Sequence, residues 1–187
     1  ELLFAAACLD RPTLGSLQEV TRSRRAAIGL QPAVASGIVE VTDGTIRFGD
    51  PRAAGAILGS IPPHELGERR RRMAERLSDG VERAIQAALA AEASDRGVAE
   101  QLLTLAEATS DAGDPERAAR LLEHAVTRTP ADDAHARTQL GLRLGTLLAR
   151  SGDTPAAGEV LEAALADAPT PGLRARALHR FALVRAR

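Results

Sequence analysis

The sequence predicts a mostly α-helical chain in two parts: short helices around one β-hairpin, then paired helices to the end. Three observations predict it. Two β-rich runs, Ile38–Val41 and Thr45–Phe48, flank the dipeptide Asp43-Gly44. From residue 80 onward Ala, Leu and Glu recur at helical spacing with no strand signal. The pattern Ala-x3-Leu-x2-Ala-x4-Pro occurs twice in that region, 39 residues apart.

Residues 2–9 read as one short helix and residues 14–28 as a second, joined at Asp10-Arg11-Pro12. In the second, Leu14, Leu17, Val20 and Thr21 fall at helical spacing. Pro32 fits the first turn of a third helix running towards Ser36-Gly37, because proline is tolerated where the N–H has no intrahelical partner. Asp43-Gly44 then marks a tight hairpin, since both residues tolerate the positive φ that such a turn requires. Three helices followed by a hairpin make a winged-helix-like arrangement. Pro51 opens a further helix to about Leu58, Pro62-Pro63 breaks it, and His64–Leu77 closes a module spanning residues 1–77.

The second part, residues 78–187, is broken at Ser94-Asp95, Ala112-Gly113-Asp114, Pro130, Ser151-Gly152-Asp153 and Pro169. Gly113-Asp114 aligns with Gly152-Asp153, and Ala118, Leu122, Ala125 and Pro130 align with Ala157, Leu161, Ala164 and Pro169. Small alanines let the second helix of a hairpin approach the first closely, leucine fills the groove between them, and proline ends the helix. The partner positions on the first helices are Leu105-Ala106 and Leu144-Gly145. This pattern resembles the tetratricopeptide family and implies α-α superhelical repeats. The units run about 98–130 and 137–169, with a partial unit at 173–187 whose Leu173–Arg185 helix lacks a partner. Two features depart from that family. The period is 39, with a longer loop near Ala131–Ala134, and Leu102, Gly141, Thr109 and Leu148 stand where large aromatics are usual.

Composition narrows the function classes. The chain has 187 residues and a net charge of −1, with residues 1–77 near +2 and residues 78–187 near −3. Neither part is basic enough to announce a nucleic-acid partner. There is no lysine, so the GxxxxGK[ST] phosphate loop cannot be present. No run of 18 apolar residues suggests a membrane span. The opening Glu1–Cys8 has the apolar look of a signal-peptide core but no basic leader, and is expected to be a core helix from within a longer chain. The lone Cys8 cannot form an internal disulfide, which suits a reducing cytoplasm, and is expected to be an inert core residue.

The run Gly37-Ile38-Val39 through Asp43-Gly44-Thr45-Ile46-Arg47-Phe48, then Pro51, and Ile61-Pro62-Pro63-His64-Glu65 through Arg70-Arg71-Arg72-Met73-Ala74-Glu75-Arg76-Leu77, together with Leu3 and Ala5-Ala6-Ala7, resembles the large ATP-binding LuxR-type transcriptional regulators of bacteria. These are signal-transduction ATPases with numerous domains. The resemblance covers essentially the whole chain through the order of its elements. It implies a P-loop ATPase before this segment, a helix-turn-helix after it, and ATP or ADP bound only outside it. It further implies that the winged-helix module serves as the lid of a nucleotide switch, with the ATPase domain as its intramolecular partner. The repeats would bind an inducer or a protein partner. DNA would be met only by the C-terminal helix-turn-helix, and no membrane is involved.

The same resemblance places a nucleotide-contacting histidine where Asp50 stands, in Phe48-Gly49-Asp50-Pro51. A carboxylate about 4 Å from a phosphate is repelled by roughly 4 kcal/mol at an effective dielectric near 20. Asp50 is therefore expected to cap a helix instead.

Other motifs carry little chemistry. His64-Glu65-Leu66-Gly67-Glu68 matches HExxH only in its first two residues, and a zinc site needs the second histidine on the same face. Arg69–Arg72 spreads around most of a helical turn rather than forming one stripe. His124, His135 and His179 are scattered, and no nucleophile–base spacing is recognisable. Catalysis and metal binding are not expected. The expected function is that of a non-catalytic regulatory and sensor segment. The alternatives are a stand-alone protein-binding scaffold and a DNA-binding winged-helix protein.

Overall fold

Glycine turns and aspartate caps punctuate the chain, and the computed structural model, which describes residues 1–91 and 94–186, follows that punctuation closely. It is mostly helical, with one two-stranded antiparallel sheet. Asp50, Asp79, Asp95, Asp114, Asp133 and Asp153 each cap a helix, their carboxylates accepting backbone N–H groups of the first turn. The chain divides into two compact units, Glu1–Glu92 and Ala93–Arg187.

The first unit contains α1 (Leu2–Cys8), α2 (Leu14–Thr21), α3 (Ala26–Ala35), β1 (Val39–Thr42), β2 (Thr45–Phe48), α4 (Pro51–Gly59), α5 (Pro63–Ala74) and α6 (Gly80–Ala90). The hairpin pairs Val39 with Phe48 and Thr42 with Thr45. Asp43 and Gly44 both take positive φ, 51° and 76°, the geometry that matches the right-handed twist of the strands. The segment before α2 adds to this sheet: Ile46 N–H donates to Pro12 O and Leu14 N–H to Gly44 O, both at 2.8 Å. Phe4, Leu17, Leu30, Val39, Ile46, Met73 and Leu77 form the core.

Three sequence-based boundaries move. The helix expected over 14–28 stops at Thr21, with Arg22 in the left-handed region at φ 54°. Leu17 and Val20 are buried, and an unbroken helix would turn Arg24 towards the same core. The break rephases the chain so that Ala26 and Leu30 enter instead. Pro32 consequently lies inside α3, not in its first turn. The carbonyl that it leaves without a helical donor belongs to Ile28, which is exposed to water.

The module boundary at residue 77 also moves, because α6 belongs to the first unit. Gln86, fully buried, donates through Nε2 to Cys8 O at 2.6 Å and to Glu82 Oε1 at 2.9 Å. Both carboxylate oxygens of buried Glu82 accept Asp10 N–H at 3.2 Å. Ser78 donates its N–H and its hydroxyl to Glu19. These bonds hold α6 against the α1–α2 corner, and burying such polar groups without them would cost several kcal/mol.

The second unit contains α7 (Arg96–Asp111), α8 (Pro115–Arg128), α9 (Ala134–Ser151), α10 (Thr154–Asp167) and α11 (Pro171–Arg185). Every expected break among the described residues falls between helices, the one at Ser151-Gly152-Asp153 starting on the last residue of α9. Asp95 N–H, at the start of α7, donates to Arg128 O at the end of α8, so the two helices run antiparallel. Arg137 and Asp167 join the start of α9 to the end of α10 in the same way, at 2.7 Å. Ala118, Leu122, Ala125, Ala157, Leu161 and Ala164 are all buried.

The close approach is made mainly by the first helix of the second pair. A Cβ built at Gly145 would lie 2.5 Å from Leu161 Cγ, and one at Gly141 3.0 Å from Ala164 Cβ. Leu161 therefore sits in the space a side chain at Gly145 would need. Leu144 is buried, whereas Leu105 is only half-buried and its neighbours Leu102 and Ala106 are the buried positions of α7 there.

Ala118→Leu, Ala157→Leu and Gly145→Val are each expected to destabilise the chain by about 1–3 kcal/mol through overpacking. Thermal unfolding followed by circular dichroism measures this, and three unchanged melting temperatures would remove the packing scheme. Burial raises the Cys8 thiol from 9.0 to about 11, opposed by Arg70 and reinforced by Glu82. The fold favours the neutral thiol, so its stabilising contribution is complete below about pH 9 and is lost as pH rises through about 11. Ellman's reagent near pH 8 is expected to label Cys8 slowly in the native chain and at once in guanidinium chloride.

Candidate functional site

The second unit carries a groove of about 840 Å³ lined from α7, α8, α9 and α11. Its apolar floor includes Leu122, Leu142 and Leu147. Leu122, expected as a repeat-packing residue, is buried and lines the groove. The site combines an apolar base with charged walls, a common composition for ligand-binding clefts of this size.

Charge is distributed unevenly around it. Arg143, Arg150, Arg176 and Arg180 line the groove with two carboxylates, Glu107 and Asp111. Arg143 forms an ion pair with Glu107. Arg150, Arg176 and Arg180 are exposed and have no ion-pair partner among the described residues. They come from two helices because helical spacing places them so: Arg143 and Arg150 are seven apart on α9, and Arg176 and Arg180 are four apart on α11. His179 lines the same groove, while His135 sits at the start of α9 with its ring nitrogen 2.9 Å from Gln139 Nε2.

The arginines were not singled out from sequence. Their i, i+7 and i, i+4 spacings were visible, but only the helix pairing shows that both pairs face one space.

The first unit presents a different surface. α3 (AAIGLQPAVA) carries no charged residue, and Ile28 and Val34 on it are 61% and 42% exposed. Ile38 and Val41 of the adjoining hairpin segment are exposed too. By contrast most of the basic run on α5 is engaged within the unit, Arg71 alone of the four being exposed with no partner among the described residues. Arg69 pairs with Glu65 at 2.6 Å and stacks over the Phe4 ring, and Arg72 pairs with Glu68 at 3.6 Å. Arg70 is buried, and Arg76 donates to Val20 O at 2.5 Å.

Glu65 and Glu68 of the HELGE sequence are engaged by these arginines. Among the described residues no group of three His, Cys, Asp or Glu side chains could hold a metal ion. Asp50 accepts Arg52 N–H at 2.8 Å and caps α4, as its position before Pro51 suggests. No described helix is long and apolar enough to cross a membrane.

Comparison with family models, with curated proteins and with solved structures finds no match to this chain.

Asp50→Ala is expected to cost about 1 kcal/mol, the value of a lost helix cap. Calorimetric titration with ATP should show no saturable heat at micromolar concentration in either protein. A tight ATP site abolished by Asp50→Ala would overturn the capping role as a sufficient account.

Proposed function

We propose that this chain is a non-catalytic regulatory segment, in which a winged-helix-like first unit docks on another protein domain and a tetratricopeptide-like second unit receives an effector. The exposed, uncharged α3 carries the reading. In a three-helix-and-hairpin module, DNA contact calls for side chains that neutralise phosphates and donate to base edges. α3 offers Ile28, Val34 and Ala35, with Gln31 its sole side-chain hydrogen-bonding group. Such a surface suits burial against protein, since exposed apolar patches mark interaction sites.

The order of elements supports a further step. It resembles that of the ATP-binding LuxR-type regulators, where an ATPase precedes such a module and a DNA-binding helix-turn-helix follows the helical arm. On that reading ATP and ADP belong to the neighbouring domain, effector binding on the second unit biases the nucleotide switch, and the setting is the bacterial cytoplasm. The groove and its three arginines without an ion pair among the described residues support effector recognition by the second unit. They would serve equally in a stand-alone scaffold, which is the second reading.

Two measurements test this. A photo-crosslinking residue in place of Ile28 is expected to capture protein in cells, and capture of nucleic acid would overturn the docking role. Sequencing the surrounding reading frame is expected to show GxxxxGK[ST] upstream and a helix-turn-helix downstream. An initiator codon and a stop codon bounding these residues would favour the scaffold. A salt-dependent shift of duplex DNA by this chain would support the DNA-binding alternative instead.

A further inference from the structure

We infer that the free edge of β1 pairs with β1 of a second copy of this chain. The two strands run antiparallel about a two-fold axis at Val41, and the two hairpins join into one continuous sheet. The inference goes beyond the docking role of α3 and uses a different element of the first unit.

Hairpin geometry fixes which backbone groups face outward. Asp43 and Gly44 both have positive φ, so a two-residue turn joins Thr42 to Thr45, and those two residues exchange backbone hydrogen bonds. Bonded and non-bonded pairs alternate along an antiparallel ladder. Glu40 and Arg47 are therefore a bonded pair, whereas Val41 and Ile46 turn their N–H and C=O groups away from each other. Ile46 shows this directly, donating its N–H outward to Pro12 O at 2.8 Å. That segment closes the β2 edge. On the β1 edge the Val41 N–H and C=O have no partner among the described residues. An outward donor and acceptor on one edge residue are a template for another strand.

Side chains agree with the backbone. Val39, Val41, Ile46 and Phe48 share one face of the hairpin by strand alternation. Val39 and Ile46 are buried on that face, yet Val41 is 36% exposed. β1 has no proline or bulge to protect its edge, and Glu40 is its one charge.

Register selects a second copy. Val39 also has outward groups, but it is buried where α3 packs on β1, which leaves Val41 as the open position. With Val41 opposite Val41 of the second copy, the two residues exchange N–H···O bonds and cover each other's side chains. Glu40 then lies opposite Thr42 of the second copy, twice by symmetry, where a hydroxyl meets a carboxylate. A two-residue slip, Val41 opposite Val39, would set Glu40 against Glu40, and directly opposed like charges destabilise a pair. A one-residue slip would face outward groups on one strand with inward groups on the other. β1 is thus complementary to itself in one register.

Sedimentation velocity of the whole chain tests this. Monomer is expected at about 5 µM and dimer at about 500 µM, the weak affinity of a short pairing. Over that range the Val41 amide should become protected from hydrogen exchange. Those of Glu40 and Thr42, bonded to β2 in both states, should not change. Val41→Pro removes the outward N–H at an edge position where proline is tolerated, and should weaken the dimer at least about tenfold. Val41→Glu keeps the N–H but opposes like charges across the axis and should do the same, so a folding defect in one variant leaves the other as the test. Leu178→Ser, on α11, should leave the dimer intact. Monomer at every concentration would overturn the inference and leave the edge to a strand of another protein. A dimer with an unprotected Val41 amide, one that survives both Val41 variants, or one lost in Leu178→Ser would overturn it by placing the contact elsewhere. Protein capture at Ile28 is measured separately, so either result can fail while the other stands.

Discussion

The second unit depends on a missing side chain. Gly145 leaves open the volume that Leu161 occupies, and Gly141 does the same one turn earlier for Ala164. This lets α10 settle directly against the backbone of α9. With that face of α9 fixed, the neighbouring face carries Leu142, Arg143, Thr146, Leu147 and Arg150 into the groove. A bulkier α9 would push α10 away, and α11 packs on α10 in turn. The spacing of the groove walls is therefore set by a contact outside the groove. Protein interiors are close-packed and transmit such displacements instead of absorbing them.

In the first unit the corresponding constraint is polar. Glu82 and Gln86 are buried, and their bonds run to the backbone at Cys8 and Asp10. A side-chain amide or carboxylate inside a core is tolerated where partners are supplied, and here the α1–α2 corner supplies an acceptor to the Gln86 amide N–H and a donor to the Glu82 carboxylate. The same bonds decide where the unit ends, because α6 cannot leave without stranding them. The desolvated Cys8 thiol lies in this neighbourhood, influenced by Arg70 and Glu82, so the chain's one thiol is placed in packing and not presented for reaction.

Much of the secondary structure was readable in advance, and for a local reason. Asp95, Asp114 and Asp153 each stand before a helix and bond to its first turn within three residues. Asp43-Gly44 adopts its turn through its own backbone freedom. Such signals need no distant partner. The same holds for Asp50, whose capping bond to Arg52 spans two residues. The errors arose where local propensity met a distant requirement. Residues 14–28 have a helical pattern, but continuing it would have directed Arg24 at the core already faced by Leu17 and Val20. Leu105 looked equivalent to Leu144, yet only Leu144 is fully buried, because equal positions in the pattern do not meet equal neighbours.

The amino-acid sequence by itself determined the hairpin, the caps, the helix breaks beyond residue 94 and the small-residue faces of the paired helices. Those features arise from backbone freedom and from bonds or contacts a few residues apart. Tertiary structure alone decided that α6 joins the first unit, that glycine on α9 makes the close approach, and that arginines from α9 and α11 line one groove. Each of these depends on groups 16 or more residues apart in sequence, Gln86 and Cys8 being separated by 78. No local pattern encodes such a meeting, because side-chain reach extends only a few ångströms and the fold must first bring the partners within it.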